Sequence, residues 1–348
     1  MKSILITGGL GFIGIHTSFQ LIKEGYKVII IDSLSNSSLL NLERLKRLSY
    51  LEDNKYLSNI SFFKGDVRDI NFIRKVFKES KANGNKIDSV IHFAGLKSIS
   101  ESFKKPQKYW DVNVNGTINL ISIMEQYQCH KIIFSSSASV YAKDEKSPLT
   151  EESKTLPENP YGETKLNVEK VLKKIYNSSL FDWQIICLRY FNPIGAHPSG
   201  FIGEDHEENP NNLFPLICEV ALEKRKCLFV YGNNWKTPDG TGIRDYIHIM
   251  DLVEGHIASL KYFQKNHKKK IYEIINLGTG QGTSVLELIK IFQSVNKIKI
   301  NYKFVGRRIG DKDIVYANPI KARKLLNWIG YRNLQQMCID GWNWHKKR

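Results

Sequence analysis

The first half of the chain alternates short apolar runs with amphipathic stretches. Runs of strand length fall at 3–7, 27–32, 60–64, 89–93, 131–135 and 184–189. Between them apolar positions recur at helical spacing, for example over 12–24, 70–79 and 106–127. Strand–helix alternation at this spacing predicts an α/β fold: a Rossmann-type doubly wound parallel sheet, covered on both faces. Ligands on such a sheet bind at the carboxyl ends of the strands. After about Phe191, Gly, Pro and Asn become frequent, and regular alternation stops until 271–277. We therefore expect a dinucleotide-binding domain over 1–190 and a smaller α/β substrate lobe mainly over 191–348. Part of 242–278 is expected to return to the main sheet.

Length agrees with this division, since 348 residues exceed one small core. The five cysteines are scattered and form no CxxC pair, which argues against zinc and a disulfide framework and fits a reducing cytosol. No metal site is expected. The apolar run after Met1-Lys2 breaks at Gly8-Gly9, so it reads as a strand rather than a secretory signal. No apolar stretch approaches the ~18 residues of a membrane span. The formal charge of +16 raises the question of nucleic acid. Its densest clusters, Lys268-Lys269-Lys270 and Lys346-Lys347-Arg348, lack interleaved aromatics that would stack on bases. We read them as solvated surface, and the excess as suited to a phosphorylated small substrate.

The turn Thr7-Gly8-Gly9-Leu10-Gly11-Phe12-Ile13-Gly14 follows the first strand and opens the first helix. Gly8, Gly11 and Gly14 permit a tight turn and close approach of a pyrophosphate to backbone N–H groups. The helix N-terminus presents partial positive charge to that anion. Asp32 ends the second strand, 18 residues after Gly14. A carboxylate there accepts from ribose hydroxyls and repels a 2′-phosphate, which favours NAD over NADP. Asp66, at the end of the third strand, can meet an adenine amino group. Phe93-Ala94-Gly95 closes the fourth with small residues that let a cofactor approach.

Tyr161 and Lys165 stand four residues apart, one turn on a helix face. A nearby cation favours a phenolate, so the pair offers a general base for alcohol chemistry. Tyr127 and Lys131 share the spacing. Only the first pair has Asn159 as a candidate N-cap and Pro160 at the first helical position. Ser135-Ser136-Ser137 ends the fifth strand, where the Ser137 hydroxyl can bond a substrate oxygen.

Together with Asn113-Val114-Asn115-Gly116-Thr117, these motifs resemble the extended short-chain dehydrogenase/reductase family and, within it, the UDP-glucose 4-epimerases. The likeness extends over nearly the whole chain. Further matching strings are Ile91-His92-Phe93-Ala94-Gly95-Leu96-Lys97, Arg189-Tyr190-Phe191-Asn192-Pro193-Ile194-Gly195-Ala196-His197-Pro198, Pro210-Asn211-Asn212-Leu213 and Arg244-Asp245-Tyr246-Ile247-His248.

The resemblance implies tightly bound NAD and passage through a 4-keto sugar, with Tyr161 as base, Ser137 assisting and Lys165 holding the nicotinamide ribose. It adds Phe12, Ile13, Asn36, Val67, Lys97, Asn113 and Phe191 to the cofactor site. For a UDP-sugar substrate it implies Lys97, Asn192, Asn211, Leu213, Leu228, Val230, Tyr231, Arg244, Arg308 and Asp311. Val315, of intermediate size, stands where family members set room around the sugar, so N-acetylated UDP-sugars are expected as well. A homodimer through helices over 106–127 and 159–175 is also implied. A 4,6-dehydratase shares this framework but needs an acid–base pair after the hydroxyl residue, where Ala138-Ser139 stands. A silent dinucleotide-binding scaffold would usually lack Tyr161 or Lys165.

Overall fold

A computed structural model describes residues 2–205, 212–308 and 310–348. The apolar runs form a seven-stranded sheet. Its strands β1 (Ser3–Thr7), β2 (Lys27–Asp32), β3 (Ile60–Lys64), β4 (Ile87–His92), β5 (Lys131–Ser137) and β6 (Gln184–Tyr190) lie in the order β6-β5-β4-β1-β2-β3. Ile271–Leu277 adds beyond β6. Pairings from β5 to β3 are parallel. Every residue of β1 is buried, as expected of a strand with helices on both faces. The chain leaves β1 towards β2 on one side, while β4 lies on the other. That reversal creates a crevice at the carboxyl end of β1.

The chain divides into two compact units. The first comprises Met1–Val140, Thr155–Arg189 and His256–Ile275. Its core joins Leu5, Ile29, Val90, Ile132 and Ile185 of the sheet to helix residues such as Val76, Leu120 and Leu172. The second comprises Tyr141–Lys154, Tyr190–Gly255 and Asn276–Arg348. Helices Leu213–Ala221, Val285–Asn296 and Leu334–His345 contribute Phe214, Phe292 and Cys338 to its core. Its short strands include Leu228–Tyr231, Ile243–Arg244 and Ile314–Val315. At two to four residues these are too brief for periodicity to register.

One helix differs from expectation. The stretch 106–127 is not continuous: Pro106–Trp110 and Gly116–Gln126 flank a π-helical turn at Asp111–Asn115. No Pro or Gly occupies that turn, so nothing in its local chemistry announces it.

Candidate active site

Gly8 has φ +69°, and a Cβ there would meet the Ala94 nitrogen at 2.7 Å. The β1 turn is therefore pressed against the end of β4. A Cβ on Gly14 would fall 2.1 Å from the Gly8 carbonyl, so the helix can cross the turn only with glycine. That helix, Phe12–Lys23, begins at Gly11 without a side-chain cap or first-turn acid. Helices at Ser38, Asp69, Ser98 and Asn159 are all side-chain capped. The open N–H groups of the first helix suit a pyrophosphate, and the residues present fit a dinucleotide.

Asp32 is buried and already engaged. Its Oδ2 accepts from the Leu10 N–H at 3.0 Å. Its Oδ1 accepts from the Leu34 N–H at 2.9 Å and the Ser37 hydroxyl at 2.7 Å. The capacity left for a ribose hydroxyl is on Oδ2. Asp66, expected to meet an adenine amino group, is held by Arg68, which grips both its oxygens at 2.8 and 3.1 Å and reaches Asp111 at 3.0 Å. That fork holds the Asp66 carboxyl below its ordinary pKa. Val67 is buried against Gly116, while Asn36 and Lys97 are exposed. Phe93 packs on His256 with ring centres 4.9 Å apart. Phe12 and Ile13 are half-buried in the first helical turn.

Asn159 caps the helix Pro160–Ser178, accepting from the Gly162 N–H at 2.8 Å. This fixes Tyr161 in the first turn and Lys165 one turn on. Lys165 Nζ donates to the Ser135 carbonyl at 2.8 Å and stands 5.9 Å from the Tyr161 ring centre. Burial pulls Lys165 down to about 8. Burial also pushes the Tyr161 phenol above its ordinary value, and a hydrogen bond with Ser137 offsets part of that. Desolvation of the phenol outweighs the Ser137 hydrogen bond, so Tyr161 lies above its ordinary value. Tyr127 and Lys131 do not pair: the phenol reaches the Arg74 carbonyl at 3.5 Å and the amine Asp88 at 3.1 Å.

Two buried supports stand here, of which the Ser136–Glu169–Arg189 set was not foreseen and Asn113 was expected only as a cofactor residue. Ser136 donates to Glu169 at 2.5 Å, and Glu169 meets Arg189 at 2.7 Å. Asn113, in the π turn, accepts from the Leu96 N–H at 2.8 Å and donates to Thr164 at 2.9 Å. The extra residue of the turn aims that side chain.

In the second unit, Arg244 Nη2 donates to the Lys312 carbonyl at 2.9 Å and lies 3.8 Å from Asp311. Arg308 lies flat over Tyr231, 3.8 Å from the ring centre. Its neighbour Arg307, not foreseen, stacks on Trp235 at 4.0 Å. Val315 pairs in register with Arg244. Asn192 is exposed, and its N–H donates to the Asp245 carbonyl at 2.9 Å. Leu228 and Val230 depart from expectation: both side chains are in the apolar core, so only their backbone can face a ligand. Phe191 is buried, with its N–H on the Leu277 carbonyl at 3.3 Å. Leu213 opens a helix, and Asn211 lies outside the described residues.

Asp245 organises this region and was also missed as a site residue. Its buried carboxylate accepts from Thr279 N–H (2.8 Å), Thr279 hydroxyl (2.6 Å), Gly280 N–H (3.0 Å) and Ala317 N–H (3.1 Å). Four donors on one buried carboxylate tie three segments together. An accounting of buried acceptors would have found it; motif matching did not.

A family model described as GDP-mannose 4,6 dehydratase matches residues 5–340. The UDP-glucose 4-epimerase GEPI48 of Cyamopsis tetragonoloba is 47% identical over 346 residues, spanning 99% of this chain and 95% of that protein. The chain belongs to the UDP-glucose 4-epimerase family. The Stenotrophomonas maltophila epimerase, crystallised with NAD and formylated UDP-arabinopyranose, superposes with a TM-score of 0.93 at 37% identity. It covers 100% of this chain and 98% of its own. The Bifidobacterium longum family member, in complex with NAD+ and UDP, gives 0.91 at 42% identity, with 99% and 98% covered. The dehydratase description names a broader family model, whereas these full-length relatives are epimerases.

Proposed function

We propose that this chain interconverts UDP-galactose and UDP-glucose at C4 of the hexose, with NAD as its resident cofactor. One observation carries the reading. Ser137, Tyr161 and Lys165 converge beside an uncapped glycine turn in a full-length member of a 4-epimerase family. When bound, the nicotinamide supplies a hydride acceptor and a local positive charge. Gly8, Gly11, Gly14, Phe12 and Ile13 would hold the pyrophosphate, Asp32 and Asn36 the adenosine ribose, and Asp66 and Val67 the adenine. Phe93, Ala94, Lys97, Asn113 and Phe191 would complete the cofactor site.

Tyr161 removes the proton from the sugar 4-OH at its phenolic oxygen and later returns it. A positive charge beside the phenol is what reverses its upward shift. Ser137 holds the phenol and the sugar oxygen in one hydrogen-bonded line. Lys165, fixed by the Ser135 carbonyl, orients the nicotinamide ribose. The guanidinium groups of Arg244 and Arg308 suit a diphosphate, which anchors the substrate while the sugar turns over. Tyr231 and the backbone of Leu228 and Val230 would flank the uracil, Asp311 the ribose, and Asn192, Asn211 and Leu213 the remaining substrate edge. The 4,6-dehydratase reading is weaker, because Ala138 and Ser139 supply no second acid–base pair.

The test is a coupled assay of the purified protein with UDP-galactose. Steady production of UDP-glucose without added hydride acceptor is expected; its absence overturns the reading. Running UDP-GalNAc beside it checks whether Val315 admits acetylated sugars.

Ile99, Phe103, Trp110 and Ile118 are more than two-fifths exposed on the first unit. They support a homodimer covering that face, which light scattering after gel filtration would detect. Among the described residues no helix is long and apolar enough to cross a membrane. The cysteines are all free thiols, which supports a reducing, cytoplasmic setting.

A further inference from the structure

Hydrogen bonds run across the first unit from the glycine turn to the Tyr161 helix, meeting at Asn113 through its backbone carbonyl on one side and its side-chain amide on the other. The members of this line, Thr7, His92, Asn113, Thr117 and Thr164, are all buried. Its direction is fixed at one end. Thr117 donates its single hydroxyl proton to the Asn113 carbonyl at 2.6 Å, and a carbonyl only accepts. Thr117 must therefore accept from His92 Nε2, 2.8 Å away. Nε2 then carries the hydrogen, and Nδ1 must accept. Thr7 donates to it at 2.6 Å and accepts in turn from the Ala94 N–H at 3.3 Å. At the far end, the Asn113 amide donates to Thr164, and Thr164 donates to the Tyr161 carbonyl at 2.7 Å. Every proton along this line has one place to go.

We infer that His92 is a positioning residue for Tyr161, a neutral Nε2–H imidazole locking the π turn that aims Asn113 at the Tyr161 helix. An imidazolium would carry hydrogen on both nitrogens, so Nδ1 would donate to Thr7 and the Thr7 hydroxyl proton would lose its acceptor; the line as drawn belongs to neutral His92. Burial, with the Lys165 charge adding to it, drives His92 down to about 3. His92 touches no substrate in this account; it sets where the base stands. The inference rests on the epimerase reading for its kinetic consequence, but its geometry is separately measurable.

Two measurements on the NAD-bound protein test it. Wild type, Thr117→Val, His92→Phe and the double variant are assayed with UDP-galactose. Each single variant should lose about tenfold in kcat, as misplacement of a catalytic group does. KM should stay within about twofold, because ground-state binding is untouched. The double variant should be no slower than the worse single one, since both cut the same line. Thr117→Val is near-isosteric and keeps the test open if His92→Phe does not fold. An unchanged kcat in Thr117→Val, or KM rising as kcat falls, overturns the inference. Imidazole 15N shifts of histidine-labelled protein form the second arm. They should report the Nε2–H tautomer of His92 down to pH 5. An Nδ1–H tautomer, or protonation above pH 5, overturns the geometry whatever the activity. An inactive wild type showing the expected tautomer would sink the epimerase reading, and the kinetic role with it, while sparing the geometry.

Discussion

The glycine turn after β1 and the shelf around Asp245 both fix irregular backbone by hydrogen bonds, but by different means. The hydrogen bonds of the turn itself stay near in sequence: Gly11 bonds Gly8, Gly8 bonds Ile31, and Leu10 bonds Asp32, 22 residues away, although Ala94 is pressed behind it. The shelf is assembled at long range. Asp245 gathers Thr279, Gly280 and Ala317, the last from 72 residues along the chain. Its backbone also joins Asn192 and Val315. The helix after the turn leaves its leading N–H groups without a side-chain cap, whereas in the shelf one carboxylate takes the N–H groups of Thr279, Gly280 and Ala317. A site built locally tolerates change elsewhere in the chain; a site built on one buried acceptor does not.

The largest expected effect lies on the side of the turn. Tyr161→Phe removes the proposed base without disturbing the Asn159 cap. Turnover of UDP-galactose should fall about a thousandfold with NAD still bound. Near-normal turnover would transfer the base role elsewhere. Next, Asp245→Asn would break the shelf by setting an amide against N–H donors. Loss of about 3 kcal/mol in chemical denaturation is expected, with weaker UDP binding by calorimetry. A variant of unchanged stability would show that the donors find other acceptors.

Gly14→Ala sharpens the contrast, because its clash is confined to the backbone of Gly8 and Gly9. About 2 kcal/mol of stability should be lost, together with bound NAD measured by absorbance after release. UDP affinity should persist if the turn is as local as its contacts. A last effect is graded with pH and is small near neutrality. The folded pKa of His92, about 3, is below its unfolded value of 6.5. Its neutral form therefore contributes stability that is fully present above about pH 6.5. That contribution is lost as pH falls towards 3, by up to about 1.4 kcal/mol per pH unit. Urea midpoints in wild type and His92→Phe should converge on acidification.

The same contrast explains what was legible in the chain. The sheet strands were foreseen to within about two residues, because each is a buried apolar run between turn signals. The glycine turn and the Asn159 cap follow from short spacings, and the structure has both. The π turn at Asp111–Asn115 was not foreseen. Asn113 and Thr117 bond across the fold to Leu96, Thr164 and His92, partners that no local pattern announces. That Leu228 and Val230 turn their side chains inward was not legible, because a four-residue strand gives no pattern to say which side is core. Asp245 was quoted as part of a string and passed over as a residue. Its role appears only when the donors around it are counted.

The interleaving of the two units bears on how the protein is made. The first unit is completed only by residues 256–275, after most of the second has left the ribosome. Until 271–277 arrives, β6 is an open sheet edge. An unpaired edge of apolar strand is a template for wrong partners. Synthesis thus passes through a stage at which 190 residues of near-finished sheet wait on a segment some 80 residues downstream. Chaperone demand and aggregation during expression should concentrate in that interval, and a chain stopped before 271 should be recovered as insoluble material.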